Sequence, residues 1–181
     1  MLRATGLAGA LLLAACATSE QDLPPVASAP AGGPPMEAAI INNAGAEIGK
    51  AQLVPGPQGV LIRVMIEAGG LSPGWHGTHL HMVGNCSDTA KFEQAGGHIQ
   101  KNNTHHGILY VHGPESGDLP NISATSDGSV AVELFNGLVT LAELQDADGS
   151  ALIIHANPDD HTSQPLGNSG DRVACARIGG A

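Results

Sequence analysis

The chain has 181 residues, enough for one domain and a tail. A formal charge of −10 excludes the basic footprint of a nucleic-acid binder, and 2% aromatic content leaves the interior to Val, Ile, Leu and Ala. Gly (25) and Pro (12) break the chain too often for a bundle of long helices, so an all-β sandwich or barrel is expected.

In chain order, residues 1–15 carry Arg3 and then an apolar run too short to span a bilayer, which reads as an export signal. It ends Leu13-Ala14-Ala15-Cys16. That ending resembles the bacterial lipobox, in which cleavage precedes a cysteine that is then lipidated; the other reading is an ordinary signal peptide with Cys16 incidental. Acylation at Cys16 would anchor the protein to a membrane face in the periplasm. Ala17 lacks the Asp-type inner-membrane retention signal, which favours the outer membrane. Residues 16–35 are rich in Ser, Pro, Ala and Gly and read as a tether, leaving 36–181 as the folded domain. Removing residues 1–15 takes away Arg3 and no acid, so the mature charge is more negative still. Outside the cytoplasm the two remaining cysteines, Cys86 and Cys175, would pair, a bridge worth ~4–5 kcal/mol in the chain-entropy model. Two buried free thiols are the alternative.

Runs at 38–42, 48–54 and 59–68 are strand-like, and Val60, Ile62, Val64 and Ile66 alternate as a core face. Residues 74–86 read as one strand in which His79 and His81 share a face and His76 points away. A segment from 87 to 120 lacks periodicity but is rich in histidine, as a functional loop would be. Residues 122–125 and 130–135 read as a hairpin around Ser126-Asp127-Gly128. Residues 138–144 fit a strand or a short helix. The run 151–155 is a buried strand ending in His155; a second functional loop, 156–170, holds Asp159, and the last strand, 172–178, holds Cys175. About eight antiparallel strands in a Greek-key β-sandwich or flattened barrel, with two long functional loops, are expected.

Several imidazoles without thiolate suit copper or zinc. His79, His81, His98 and His155 make a four-nitrogen set suited to Cu(II), while His106 with Asp118 mixes nitrogen and oxygen as Zn²⁺ prefers.

Gly77-Thr78-His79-Leu80-His81, Gly84-Asn85-Cys86-Ser87, Ala95-Gly96-Gly97-His98 and His106-Gly107 occur in the order of the copper/zinc superoxide dismutases. So do Gly117-Asp118-Leu119-Pro120-Asn121, Ile154-His155-Ala156 and the run from Gly167 to Cys175. The chain resembles that family from about Met36 to Ile178, and its bacterial exported branch most. The resemblance implies superoxide as substrate, copper on His79, His81, His98 and His155, and zinc on His98, His106 and Asp118. It also implies Asp159 orienting ligands of both metals, His76 bracing the backbone, and a Cys86–Cys175 disulfide. Arg172 would dock the anion and His98 would supply a proton in a ping-pong dismutation to O2 and H2O2, with Lys91 and Lys101 as local guides. One departure concerns zinc: Glu115 stands where the family has histidine, with His112 three residues earlier. Glu115, His112 after a loop shift, or His105 are the options for completing that site, the other alternative being that zinc binding is weakened or lost. The rival readings are an exported copper-buffering lipoprotein without turnover and a structural envelope domain. A monomer and a homodimer are both compatible with the sequence.

Overall fold

The computed structural model describes residues 33–180; the expected export signal, Cys16 and most of the expected tether lie outside them. Among the described residues nine strands form, β1 (Met36–Asn42), β2 (Glu47–Gly56), β3 (Gly59–Ile66), β4 (Gly74–His76), β5 (Thr78–His81), β6 (Ile122–Ala124), β7 (Val130–Asn136), β8 (Ser150–His155) and β9 (Arg172–Ile178). Seven make one curled antiparallel sheet in the order β5-β8-β9-β1-β2-β3-β7, and β4 pairs with β6 in a small second sheet. The all-β expectation holds. Val60, Ile62, Val64 and Ile66 are all buried, joined by Ile40, Leu53, Leu152, Ile154 and Ile178 in an aliphatic core. A smaller cluster holds Phe92, Ala95, Ala151 and Ile153 around the Cys86–Cys175 disulfide, which ties the loop after β5 to β9.

Two local expectations are corrected. Residues 74–86 are not one strand: Gly77 donates its N–H to the Asn157 carbonyl and accepts from the N–H of His155, so the chain changes sheets there. β4 then pairs with β6, and β5 with β8. The segments around Ser126-Asp127-Gly128 share a turn closed between Thr125 and Ser129, but not a ladder. Val130–Asn136 finds a full seven-residue register on β3, whereas the shorter Ile122–Ala124 pairs with β4. The undecided segment 138–144 contains one helical turn, α1 (Leu141–Leu144), started by a reciprocal capping box between Thr140 and Glu143.

Candidate metal centre

Strand β5 organises the site. His79 and His81 project together from it, and its backbone also holds the long loop in place. Leu80 donates its N–H to Gly117 and accepts from the N–H of Ile99, and Met82 donates to Gly97. Bridges therefore set His79 opposite Asp118 and His81 opposite His98. A Cβ on Gly117 would collide with the Leu80 carbonyl, so only glycine permits this docking. His155 ends β8, where the register with β9 slips between Ile154 and His155 and sets His155 opposite Arg172. Such irregularities re-aim side chains, and here one brings the fourth imidazole to the cluster.

One nitrogen from each of His79, His81, His98 and His155 lies within 4.8 Å of the other three. Among the described residues, His79 Nδ1 and the Nε2 atoms of His81, His98 and His155 are buried without a hydrogen-bond partner. The opposite nitrogen of each ring is committed: His79 Nε2 to Asp159 (2.7 Å), His81 Nδ1 to the Gly96 carbonyl (2.9 Å), His98 Nδ1 to Glu115 (2.9 Å) and His155 Nδ1 to the Gly170 carbonyl (3.1 Å). Burying four polar atoms unpaired is costly unless a cation receives them. Ligands across an ion at about 2.0–2.1 Å each stand about 4 Å apart, so a small contraction closes the set on one ion. Burial holds the protonation of His79 down to about 4 and of His155 down to about 3, and pushes His81 well below its ordinary value. These rings are neutral ligands at pH 7.

The neighbouring pocket is ionic. His106 Nδ1 lies 2.8 Å from Asp118 Oδ1, and His98 Nδ1 lies 3.5 Å from the same oxygen. Glu115 Oε2 stands 2.9 Å from His98 Nδ1 and 4.0 Å from His106 Nδ1. His79 also falls within 4.8 Å of the His98, His106 and Asp118 ligand atoms. Its two nitrogens are, however, directed to the four-imidazole cluster and to Asp159, and the other carboxylate beside this pocket is that of Glu115. Burial opposes a charge on His106, but its bonds to Asp118 and Asp159 outweigh that and raise it to about 10. Asp118, despite burial, is held well below the carboxylate range by His106 and His98. His98, His106 and Asp118, with the Glu115 carboxylate hydrogen-bonded to His98, are a borderline-to-hard donor set of the kind that fits zinc.

Asp159 joins the pockets, one oxygen on His79 Nε2 and the other 3.2 Å from His106 Nε2. A Cβ at Gly167 would strike that carboxylate and stand 2.7 Å from His106 Nε2; Gly167, at φ +59°, closes the loop over both. His76 is buried beside the site, Nδ1 2.7 Å from the His155 carbonyl and Nε2 2.8 Å from that of Ser72.

Arg172 is not spent on a surface ion pair. Its guanidinium donates to the Phe92 carbonyl (2.6 Å) and the Gly96 carbonyl (2.7 Å), and the latter also receives His81. A cleft of about 550 Å³ opens over Arg172, with Lys91 and Glu93 on its wall. Lys101 is elsewhere: it pairs with Glu143 at 2.6 Å and lines a different groove, under α1. His105 and His112 are exposed and stand outside both pockets.

Several functional groups escaped the sequence reading. Asn121 accepts the N–H of Asp159 and donates to its carbonyl, fixing the residue that joins the pockets. Its place directly after Gly117-Asp118-Leu119-Pro120 was the one available signal. Asn43 Nδ2 donates to the carbonyls of Thr89 and Arg172 and clips the disulfide loop to β9. The carbonyls of Phe92, Gly96 and Gly170 belong to the backbone, and no residue type announces them.

Comparison with known proteins agrees with this geometry. The family described as copper/zinc superoxide dismutase (SODC) matches residues 47–178. A relative from Caulobacter vibrioides named Superoxide dismutase [Cu-Zn] is 44% identical over 141 residues, 74% of this chain and 79% of its own. Among solved structures, a double mutant of a SOD-like protein from Bacillus subtilis superposes with a TM-score of 0.75 at 34% identity, covering 80% of this chain and 97% of its own. The Cu/Zn superoxide dismutase from Brucella abortus gives 0.67 at 31% identity, with 80% and 99% covered.

Proposed function

This chain belongs to the copper/zinc superoxide dismutase family, and we propose that it dismutes superoxide to O2 and H2O2 at the four-imidazole pocket. It is an oxidoreductase of that type, and copper and zinc are its cofactors. The observation that carries the proposal is the set of four convergent, unpartnered imidazole nitrogens with the Arg172 guanidinium anchored on the same Gly96 carbonyl as His81.

His79, His81, His98 and His155 hold copper; His98, His106, Asp118 and Glu115 hold zinc. Bound there, copper supplies reversible one-electron chemistry and zinc a fixed positive charge. His98 faces both pockets, Nε2 toward the imidazoles and Nδ1 toward the carboxylates, which supports a bridging role. It can hold a proton at Nε2 when that nitrogen is free and pass it to the developing peroxide. Arg172 docks the anion electrostatically, and Lys91 adds local attraction at the cleft wall. His76 braces the His155 backbone, and Asp159 fixes the orientation of His79 and His106.

The protein is, in this reading, an exported lipoprotein. Residues 1–15 are its signal, Cys16 its acylated anchor in the periplasm at the outer membrane, 16–35 its tether and 36–181 its working domain. Mass spectrometry of the membrane fraction after expression in a Gram-negative host tests this: a diacylated or triacylated Cys16 supports it, and an unmodified downstream N-terminus overturns it.

Pulse radiolysis of copper- and zinc-loaded protein tests the activity, with rapid superoxide decay expected at catalytic protein concentration. Stoichiometric copper without turnover would replace the enzyme reading with copper buffering.

A further inference from the structure

The loop between His106 and Glu115 has an outer face that the metal centre does not use. His105 donates its N–H to the His112 carbonyl at 2.9 Å, which pins the two ends of the loop together. Within it, Tyr110 donates to Gly107 and Gly113 to Tyr110, while Leu109 donates to the His161 carbonyl of the loop after β8. A Cβ on Gly113 would collide with the Gly107 carbonyl and stand 2.9 Å from that of His105, so the neck is closely packed. On this frame the His105 and His112 rings stand 6.3 Å apart, with the Tyr110 ring 6.0 Å from one and 5.6 Å from the other. Both histidines are exposed, and among the described residues neither ring has a hydrogen-bond partner.

We propose that His105 and His112 form a third, surface metal site that holds one exchangeable divalent ion of the borderline class, Cu(II) most tightly. Two free imidazoles on a backbone already closed lose little freedom on chelation, because exposed side-chain torsions alone must turn to bring two nitrogens to one ion. Imidazole donors suit Cu(II), Ni(II) and Zn(II), and Cu(II) heads that order. Solvent completes the coordination, so the ion exchanges more readily than a buried one. An ion held here straps together the two ends of the segment that carries His106 inward at one root and Glu115 at the other. The site does not depend on the dismutase reading.

Tyr110 is the chain's one tyrosine and Trp75 its one tryptophan, so the protein carries its own reporter. Trp75 is 60% exposed, and Trp75→Phe leaves Tyr110 as the fluorophore at little structural cost. The holoprotein, with both buried pockets filled and excess metal removed, is titrated with Cu(II). Tyr110 emission is expected to fall and saturate near one added equivalent, and to recover with a chelator. His105→Gln and His112→Gln should each weaken this binding by roughly tenfold or more while the copper and zinc content of the buried pockets stays unchanged. Unaltered quenching in both variants overturns the proposal, as does emission that drifts down without saturating.

Discussion

The two pockets that meet at His98 are built on opposite principles. The four-imidazole pocket takes His79, His81 and His155 from paired strands and keeps them neutral by burial, each ring fixed through its second nitrogen. The mixed pocket takes His106, Glu115 and Asp118 from a loop, with the carboxylates paired to His98 and His106. One presents four unpaired nitrogens, the other an imidazole held between carboxylates. The contrast teaches that sheet geometry makes the first pocket a property of the fold, while charge balance makes the second a property of local sequence.

The largest expected effect tests whether the first pocket needs anything besides its metal. Arg172→Ile should lower kcat/KM by about a hundredfold with copper content intact, in line with loss of one preorganised donor to a developing anion. Unchanged decay of superoxide in pulse radiolysis would remove Arg172 from the reaction. Next, Asp159→Asn attacks the element that both pockets share. Metal affinity should fall about 10–100-fold in each, measured by competition with a chromophoric chelator. A loss confined to one pocket would break the coupling drawn through His79 and His106. Glu115→Gln should weaken zinc by roughly tenfold and leave copper uptake in place, since it removes a charge from the ionic half alone.

A smaller effect separates the pockets by pH. In the metal-free protein His79, His81 and His155 are depressed, so the folded state loses stability as pH falls below the unfolded value of 6.5 toward about 4 and about 3. His106, raised to about 10, contributes stability that is full below 6.5 and is lost as pH rises through 10. Thermal unfolding of the apoprotein should therefore be most resistant near pH 6–7, and zinc should abolish the alkaline fall because it replaces the proton on His106. A monotonic profile would contradict the assignment. Smallest of all, Lys101→Ala should leave turnover within about twofold, because Glu143 already satisfies that charge away from the cleft.

Much of this was legible beforehand, for reasons that differ by residue. The alternation of Val60 to Ile66 and the period-two spacing of His79 and His81 are direct signatures of strands, and strands place what they carry. The run 151–155 ends in His155, but the slip in register that aims it cannot be read from residue types. The division at Gly77 was missed because Gly74-Trp75-His76 and Thr78-His79-Leu80-His81 share one strand-like pattern, and only their hydrogen-bond partners separate them. The hairpin at Ser126-Asp127-Gly128 was overread because a turn residue pattern specifies reversal, not which neighbour a strand adopts. Glu115, His112 and His105 stay open in the sequence because loop residues have no periodicity to fix their direction; in the structure the Glu115 carboxylate lies 2.9 Å from His98 Nδ1, while His105 and His112 are exposed.

The manner in which Arg172 is fastened has an electrical consequence. Peptide oxygens bear only partial charges, so the two that grip it steady the guanidinium without discharging it, as a contacting carboxylate would. Among the described residues no acid pairs with it directly, and Asp88 and Glu93 act on it only from farther away. A small anion drifting up to this acidic protein is repelled by the body of the molecule, yet at the cleft mouth it meets a nearly whole unit of positive monopole.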